Sequence, residues 1–288
     1  MISRKIDANK IKIQVYEGGN TSGEAILFLH PQGSTSKIWE KALPLFEKEY
    51  HVISMDLRGH GESDKAVSGY DIESQCRDIK DVMENLEIQK AHLVGNSLGG
   101  DIATAFAAIY PEHIISLTNI DSGMIDYIGP EGERNKTKEE VLEEFKNRQI
   151  KSFSSKKELL EYVESVFPES LWENYFEEWF KFVSIYQDED NRLSYQIPIA
   201  INVQIMDMVC RLHYKELYQN ITCPILFLPA EMEDHLSIKL RNIEEANKYT
   251  FVKTSIIPES RHLMVLNQSQ EICQEIIQFF QEVRVSQK

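Results

Sequence analysis

The chain has 288 residues, of which 42% are hydrophobic and 27% charged, and its formal net charge at pH 7 is −15. This length suffices for one large α/β domain or two small ones, and the composition is ordinary for a globular protein. The negative charge argues against nucleic acid and against an anionic membrane as partners, because both would repel an acidic surface.

Short strands and helices alternate in the first part of the chain. Apolar–polar alternation or a nearly continuous apolar run predicts a strand, and apolar residues at helical spacing predict a helix. The predicted strands are residues 11–16, 24–30, 50–55, 91–94 and 114–120. The predicted helices are residues 36–49, where Pro44 could split or kink the helix, 72–86 and 101–110.

The alternation stops near Gly123. Residues 124–217 are dense in charged and aromatic side chains and contain no buried strand, so we predict amphipathic helices there. Strands are again predicted at residues 224–228 and 250–257, followed by a helix over 270–283. The pattern indicates a core domain of residues 1–123 and 218–288, with a mostly parallel sheet covered by helices, interrupted by a helical insert of residues 124–217.

The cysteines and the N-terminal residues carry less information. Cys76, Cys210, Cys223 and Cys273 are far apart and lack the spacing of metal ligands, so we expect reduced packing residues and no metal or cofactor. Residues 1–7 contain no apolar segment of signal-peptide length, and no apolar run has the length of a transmembrane helix. We therefore expect a cytoplasmic protein.

The most informative motif is Gly95-Asn96-Ser97-Leu98-Gly99, which follows one predicted strand and precedes a helix. A nucleophilic serine at such a strand-to-helix turn needs glycines on both sides, because larger residues would collide. The new helix directs backbone N–H groups and its positive dipole end at the place where an oxyanion would form. Ser97 is the candidate nucleophile.

Four motifs in order resemble those of the α/β-hydrolase family, over nearly the whole chain. They are His30-Pro31-Gln32-Gly33, Asp56-Leu57-Arg58-Gly59-His60-Gly61-Glu62-Ser63, the Ser97 motif and Arg261-His262-Leu263. The resemblance implies an eight-stranded, mostly parallel sheet, with the insert forming a cap, or lid, over the active site. It also implies that His262, in the loop after the last strand, is the base that activates Ser97.

The acid that orients His262 is less clearly marked. In the family it usually follows the strand that begins here at Pro224, but the usual Gly-x-x-Asp is absent and Ala230 stands in place of the glycine. We favour Asp234, with Glu233 as the alternative in the neighbouring register. Asp121 is a third candidate, because some members of the family carry the acid after the preceding strand.

The resemblance also implies an oxyanion hole built from the backbone N–H groups of Leu98 and Gln32. Pro31 replaces the usual glycine, but it is not an expected donor, so the hole can form. The implied reaction is hydrolysis of a small or medium ester, thioester or lactone with apolar bulk, through an acyl-enzyme, by a monomer or homodimer. The alternatives are carbon–carbon bond hydrolysis, of the kind acting on ring-cleavage products, and slow-turnover sensing of a ligand.

Overall fold

The computed structural model describes residues 1–166 and 177–286 of the chain. Its main sheet has eight strands in the order β1-β2-β4-β3-β5-β6-β9-β10, which confirms the predicted fold class. The strands of this sheet are β1 (Ile2–Ala8), β2 (Ile11–Gly19), β3 (Ala25–Leu29), β4 (His51–Met55), β5 (Ala91–Asn96), β6 (Ile114–Ile120), β9 (Ile225–Leu228) and β10 (Val252–Thr254).

The direction of the strands brings the predicted motifs together. β1 and β2 pair antiparallel, β2 also pairs antiparallel with β4, and all other neighbours from β4 to β10 are parallel. The loops after β3, β5, β6, β9 and β10 therefore all leave the same edge of the sheet. These loops carry the candidate catalytic and oxyanion-hole residues predicted from the sequence.

Helices cover both faces of the sheet. They are α1 (Ile72–Asn85), α2 (Leu98–Ile109), α8 (Leu236–Ala246) and α9 (Ser269–Ser286). One hydrophobic cluster joins the buried side chains of α1, α2 and α8 to one sheet face, and a second cluster contains those of α9 on the other face.

Two predictions from the sequence differ from the structure. Residues 36–49 do not form one helix but contain two 3₁₀ turns, Ser36–Trp39 and Leu43–Leu45, and Pro44 is the second residue of the latter. The edge strand β1 was not predicted. Only Ile6 and Ala8 of this strand are buried, so its sequence gives almost no hydrophobic signal.

Residues 124–217 form the segment between β6 and β9. Their described elements are α3 (Lys138–Lys146), α4 (Lys156–Val166), α5 (Glu177–Phe182), the short strands β7 (Tyr186–Gln187) and β8 (Leu193–Ser194), α6 (Ile199–Val209) and α7 (Tyr214–Tyr218). Four aromatic residues of this segment lie outside the described residues: Phe167, Trp172, Tyr175 and Phe176.

All four cysteines are buried and free of disulfide bonds. Within residues 1–166 and 177–286, no helix has the length and apolar character needed to cross a membrane. The same part of the chain contains no group of three or more histidine, cysteine or acidic side chains arranged to hold a metal ion.

Candidate active site

Ser97 lies between β5 and α2 in a strained backbone conformation, with φ 53° and ψ −128°. The flanking glycines are required by close packing. A Cβ atom at Gly95 would collide with the backbone of Gly99 and Gly100, and one at Gly99 would collide with the carbonyl oxygen of Leu29. This tight turn holds the Ser97 hydroxyl at the edge of the sheet, as its sequence motif predicts.

Ser97, His262 and Asp121 form a continuous hydrogen-bonded chain. The Ser97 Oγ atom lies 2.9 Å from His262 Nε2, and His262 Nδ1 lies 2.7 Å from Asp121 Oδ2. If Nδ1–H donates to the carboxylate, Nε2 is left free to accept the serine proton. Asp121 is 3% exposed, whereas the His262 side chain is 39% exposed and therefore accessible to a ligand.

The structure places the favoured acid, Asp234, away from His262. Asp234 is exposed, and its carboxylate makes no hydrogen bond or ion pair in the described part of the chain. Glu233 contacts His262, but its Oε1 atom accepts from the backbone N–H at 2.9 Å and does not reach the ring. We expected Asp234 to orient His262, but the structure does not bring the two together. The third candidate, Asp121, occupies the position beside His262 Nδ1.

The loop after β9 supports Asp121 instead of supplying the acid. The backbone N–H of Ala230 donates to Asp121 Oδ1 at 3.0 Å. The missing Gly-x-x-Asp and the position of Asp121 directly after a buried strand are the sequence signal consistent with Asp121. That signal cannot rank the candidates by itself, because three carboxylates follow Ala230 within four residues.

Lys239 was not found by sequence reasoning. It lies on α8, is 4% exposed, and its Nζ atom is 2.8 Å from Asp121 Oδ1. The two oxygens of Asp121 thus have separate partners, since Oδ2 faces His262 and Oδ1 faces Lys239. A lysine within an amphipathic helix normally faces solvent, so the sequence of α8 does not indicate the contact between Lys239 and Asp121.

The electrostatics favour a charged Asp121 and a basic His262. Burial raises the pKa of Asp121, but the hydrogen bond from His262 and the charge of Lys239 outweigh it, so this pKa is lowered. Burial lowers the pKa of His262, but the hydrogen bond and charge of Asp121 outweigh it, so this pKa is raised. The ion pair therefore strengthens His262 as a proton acceptor.

Gln32 and Leu98, the two residues expected to form the oxyanion hole, both line the cavity beside Ser97. In residues 1–166 and 177–286 neither backbone N–H has a hydrogen-bond acceptor. Leu98 is the first residue of α2, where N–H groups have no partner within the helix. The Gln32 side chain donates from Nε2 to Asn202 Oδ1 on α6 at 2.8 Å, which joins this loop to the insert.

A cavity of about 420 Å³ opens at Ser97 and His262. Its walls come from both the sheet edge and the segment 124–217. The apolar and aromatic lining side chains include Met124, Ile125, Tyr127, Phe145, Ile150, Tyr195, Ile197, Met206 and Val209. Four aromatic side chains among the described residues of this segment therefore line the cavity, namely Tyr127, Phe145, Tyr195 and Tyr214.

Two acidic residues also line the cavity near His262. Burial raises the pKa of Asp101 to about 6, although Asp101 is hydrogen-bonded to Tyr214 and accepts from the Gly123 N–H. Glu133 is accessible from the cavity, but surrounding protein atoms desolvate it and raise the pKa of its carboxyl to about 7.

The fold and this arrangement are those of an α/β hydrolase. The family model for the alpha/beta hydrolase fold matches residues 24–190, more than half of the chain, and the chain belongs to this family. It is 37% identical over 120 residues to a 2-(acetamidomethylene)succinate hydrolase of Mesorhizobium japonicum and 32% identical over 123 residues to a fluoroacetate dehalogenase of a Burkholderia species.

These alignments span well under half of each relative, 42% of the first and 40% of the second, and 42% and 41% of this chain. Solved structures are similar over a greater length. A crystal structure of E-2-(acetamidomethylene)succinate hydrolase has a TM-score of 0.78 at 24% identity and covers 97% of this chain and 99% of that one. The enol-lactonase from Burkholderia xenovorans has a TM-score of 0.74 at 14% identity, covering 96% and 100%. At these identities the similarity shows the fold alone.

Proposed function

We propose that this protein is a serine hydrolase that cleaves small or medium carboxylic esters, thioesters or lactones through an acyl-enzyme. The observation that carries the proposal is the 2.9 Å contact between Ser97 Oγ and His262 Nε2, with Asp121 2.7 Å behind the ring. This is the arrangement in which a histidine can remove the proton of an attacking serine.

In the proposed reaction, Ser97 Oγ attacks the substrate carbonyl while His262 Nε2 takes the hydroxyl proton. The N–H groups of Gln32 and Leu98 stabilise the resulting oxyanion, and Asp121 stabilises the imidazolium. His262 then protonates the leaving oxygen or sulfur as the bond to the carbonyl carbon breaks. Water, deprotonated by His262, cleaves the acyl-enzyme and restores Ser97.

The size and lining of the cavity support a small substrate with apolar bulk. A volume of about 420 Å³ lies within the usual range of small-molecule sites. We propose that residues 124–217 act as a cap, because side chains of this segment form much of the cavity wall. Ser97 argues against the chemistry of dehalogenases and epoxide hydrolases, which requires a carboxylate nucleophile at this position.

A screen of p-nitrophenyl esters of graded acyl length, together with simple lactones, tests the proposal. Multiple turnovers support hydrolysis, one stoichiometric turnover supports a sensor, and complete inactivity shifts the assignment to carbon–carbon bond cleavage. Ser97→Ala should abolish both turnover and labelling by a fluorophosphonate probe. Ser237→Ala removes an exposed hydroxyl on α8 and should leave both unchanged. Labelling that persists in Ser97→Ala would exclude Ser97 as the nucleophile.

A further inference from the structure

Arg148 lies in the cavity wall, two residues after the end of α3. Its guanidinium carbon is 3.6 Å from the centroid of the Phe145 ring, which also lines the cavity and is 5% exposed. Stacking on a buried ring restricts the orientation of the guanidinium plane while leaving the N–H groups at its edge available. Arg148 is therefore a positioned cation at the cavity surface.

Unlike the other cations nearby, Arg148 has no acidic partner in the part of the chain that the structure describes. Lys239 is paired with Asp121, and Arg134 is paired with Glu144. Within residues 1–166 and 177–286, no carboxylate lies within 4 Å of the Arg148 guanidinium. Partial burial lowers the pKa of Arg148; Tyr127 opposes this effect and Arg134 adds to it, and no carboxylate is among the groups that shift it.

Gln196 supplies a second set of donors in the same cavity wall. Its Oε1 atom accepts from the backbone N–H of Lys151 at 2.9 Å, which orients the side-chain amide. The Nε2 group has no acceptor in the described part of the chain. An arginine and a primary amide with unused N–H groups match the planar acceptor oxygens of a carboxylate.

We propose that Arg148 and Gln196 form a subsite for a carboxylate of the substrate, so that the preferred ester, thioester or lactone carries a free carboxylate on its acyl part. This proposal rests on the proposed function and specifies its substrate class. The guanidinium of Arg148 provides a local positive charge for such a carboxylate, although the chain as a whole carries a net charge of −15.

The acidic residues that line the cavity form no ion pair with Arg148 in the part of the chain that the structure describes. Charges that shift the pKa of Glu133 are Asp101, His262, Lys239 and Asp121, all at the Ser97 end. The pKa of Arg148 instead responds to Tyr127 and Arg134. In the described residues, neither Asp101 nor Glu133 forms an ion pair with Arg148, so the guanidinium remains available to a substrate carboxylate.

The test compares p-nitrophenyl hydrogen adipate with methyl p-nitrophenyl adipate, which differ only in the free carboxylate. The glutarate and pimelate pairs vary the length, and the rate without enzyme is subtracted. For at least one chain length, the native protein should show a higher kcat/KM for the free acid than for the corresponding methyl ester. Arg148→Met should raise the KM for that acid about ten- to hundredfold, with little change in kcat. The kcat and KM for the methyl ester should change little.

Two further variants separate the charge of Arg148 from general effects on folding. Arg148→Lys retains the charge but not the fork of N–H groups. Its KM for the free acid should lie between those of the native protein and Arg148→Met. Lys146→Met removes an exposed cation at the end of α3 that does not line the cavity, and it should behave as the native protein does. Equal losses on the acid and the methyl ester in Arg148→Met would overturn the subsite.

Binding provides a readout that does not depend on turnover. In isothermal titration calorimetry, the native protein should bind monomethyl adipate more tightly than dimethyl adipate, and Arg148→Met should lose this difference. If no ester is cleaved but this difference is found, the proposed function fails and the subsite stands. If esters are cleaved but neither assay detects a preference for the carboxylate, the subsite is excluded and the hydrolase assignment stands.

Discussion

At the residue scale, the candidate site depends on the surroundings of one carboxylate. Asp121 follows the buried strand β6 and receives hydrogen bonds from His262, Lys239 and the Ala230 N–H. These contacts favour its charged form in a place that is nearly inaccessible to water. Asp234, which the family pattern favours, is exposed and has no such partners. The local environment, more than the spacing in the chain, decides which carboxylate can orient the histidine.

Asp121→Asn should reduce kcat about 10³–10⁴-fold, because an amide cannot stabilise the imidazolium and favours the wrong ring tautomer. The matched change Asp234→Asn should leave kcat within about twofold, since that side chain contacts nothing in the site. Steady-state kinetics on a p-nitrophenyl ester, with thermal denaturation to confirm folding, measures both. The reverse ranking would restore Asp234 as the acid.

At the element scale, α8 and the loop before it have a different use from the one that the family pattern implies. The loop after β9 contributes an N–H group to Asp121, and α8 contributes the buried ammonium of Lys239. The positive charge of Lys239 lowers the pKa of both Asp121 and His262. Lys239 therefore acts as a positioning residue for the proposed acid and limits how basic the histidine becomes.

Lys239→Met should move the acid limb of the kcat/KM profile to higher pH. His262 must be neutral to accept the Ser97 proton, and removing a nearby positive charge raises its pKa, so protonation inactivates the variant at a higher pH. Its melting temperature should also fall, because Asp121 loses a buried partner.

The matched control is Lys253→Met, which breaks the 2.8 Å pair of β10 with Glu282 outside the cavity. It should leave the pH profile unchanged. A purely structural role for Lys239 predicts a lower melting temperature with no displacement of the acid limb, and that result would contradict the electrostatic role.

At the scale of the whole molecule, the segment 124–217 is joined to the core at the loop that carries Gln32. Ser184 N–H donates to Gly33 O at 2.8 Å and its hydroxyl donates to Ser34 O at 2.6 Å, while the Gly61 N–H donates to the same hydroxyl oxygen at 2.9 Å. Ser184 is 1% exposed. This buried network couples the proposed cap to the proposed oxyanion hole.

Ser184→Ala should lower stability by about 1–3 kcal/mol, since it leaves the Gly61 N–H and the Ser34 carbonyl without their buried partner. For a chain of this size, that corresponds to a fall in melting temperature of several degrees. Differential scanning calorimetry measures it, with the exposed Ser237→Ala as the control. We also expect a lower kcat, because the Gln32 loop loses support, and an unchanged kcat would show that the loop is held by other contacts.

The sequence by itself determined the fold and the place of the candidate nucleophile in it. Strand and helix periodicity is a local property of side-chain burial, and the glycines around Ser97 are imposed by a turn that no larger residue fits. The edge strand β1 was not predicted because few of its side chains are buried. The 3₁₀ turns after β3 were predicted as one helix, and Pro44 interrupts that pattern.

Only the tertiary structure decided which residues surround His262 and what the cavity offers a substrate. Asp121, Lys239 and His262 are distant in the chain and meet because parallel strands end at one edge of the sheet. Likewise, the sequence does not distinguish Arg148, after the amphipathic helix α3, from an ordinary surface cation. Only packing places it on Phe145 in the cavity wall. Long-range contacts of this kind leave no periodic trace in the sequence, because each depends on the arrangement of elements far apart along the chain.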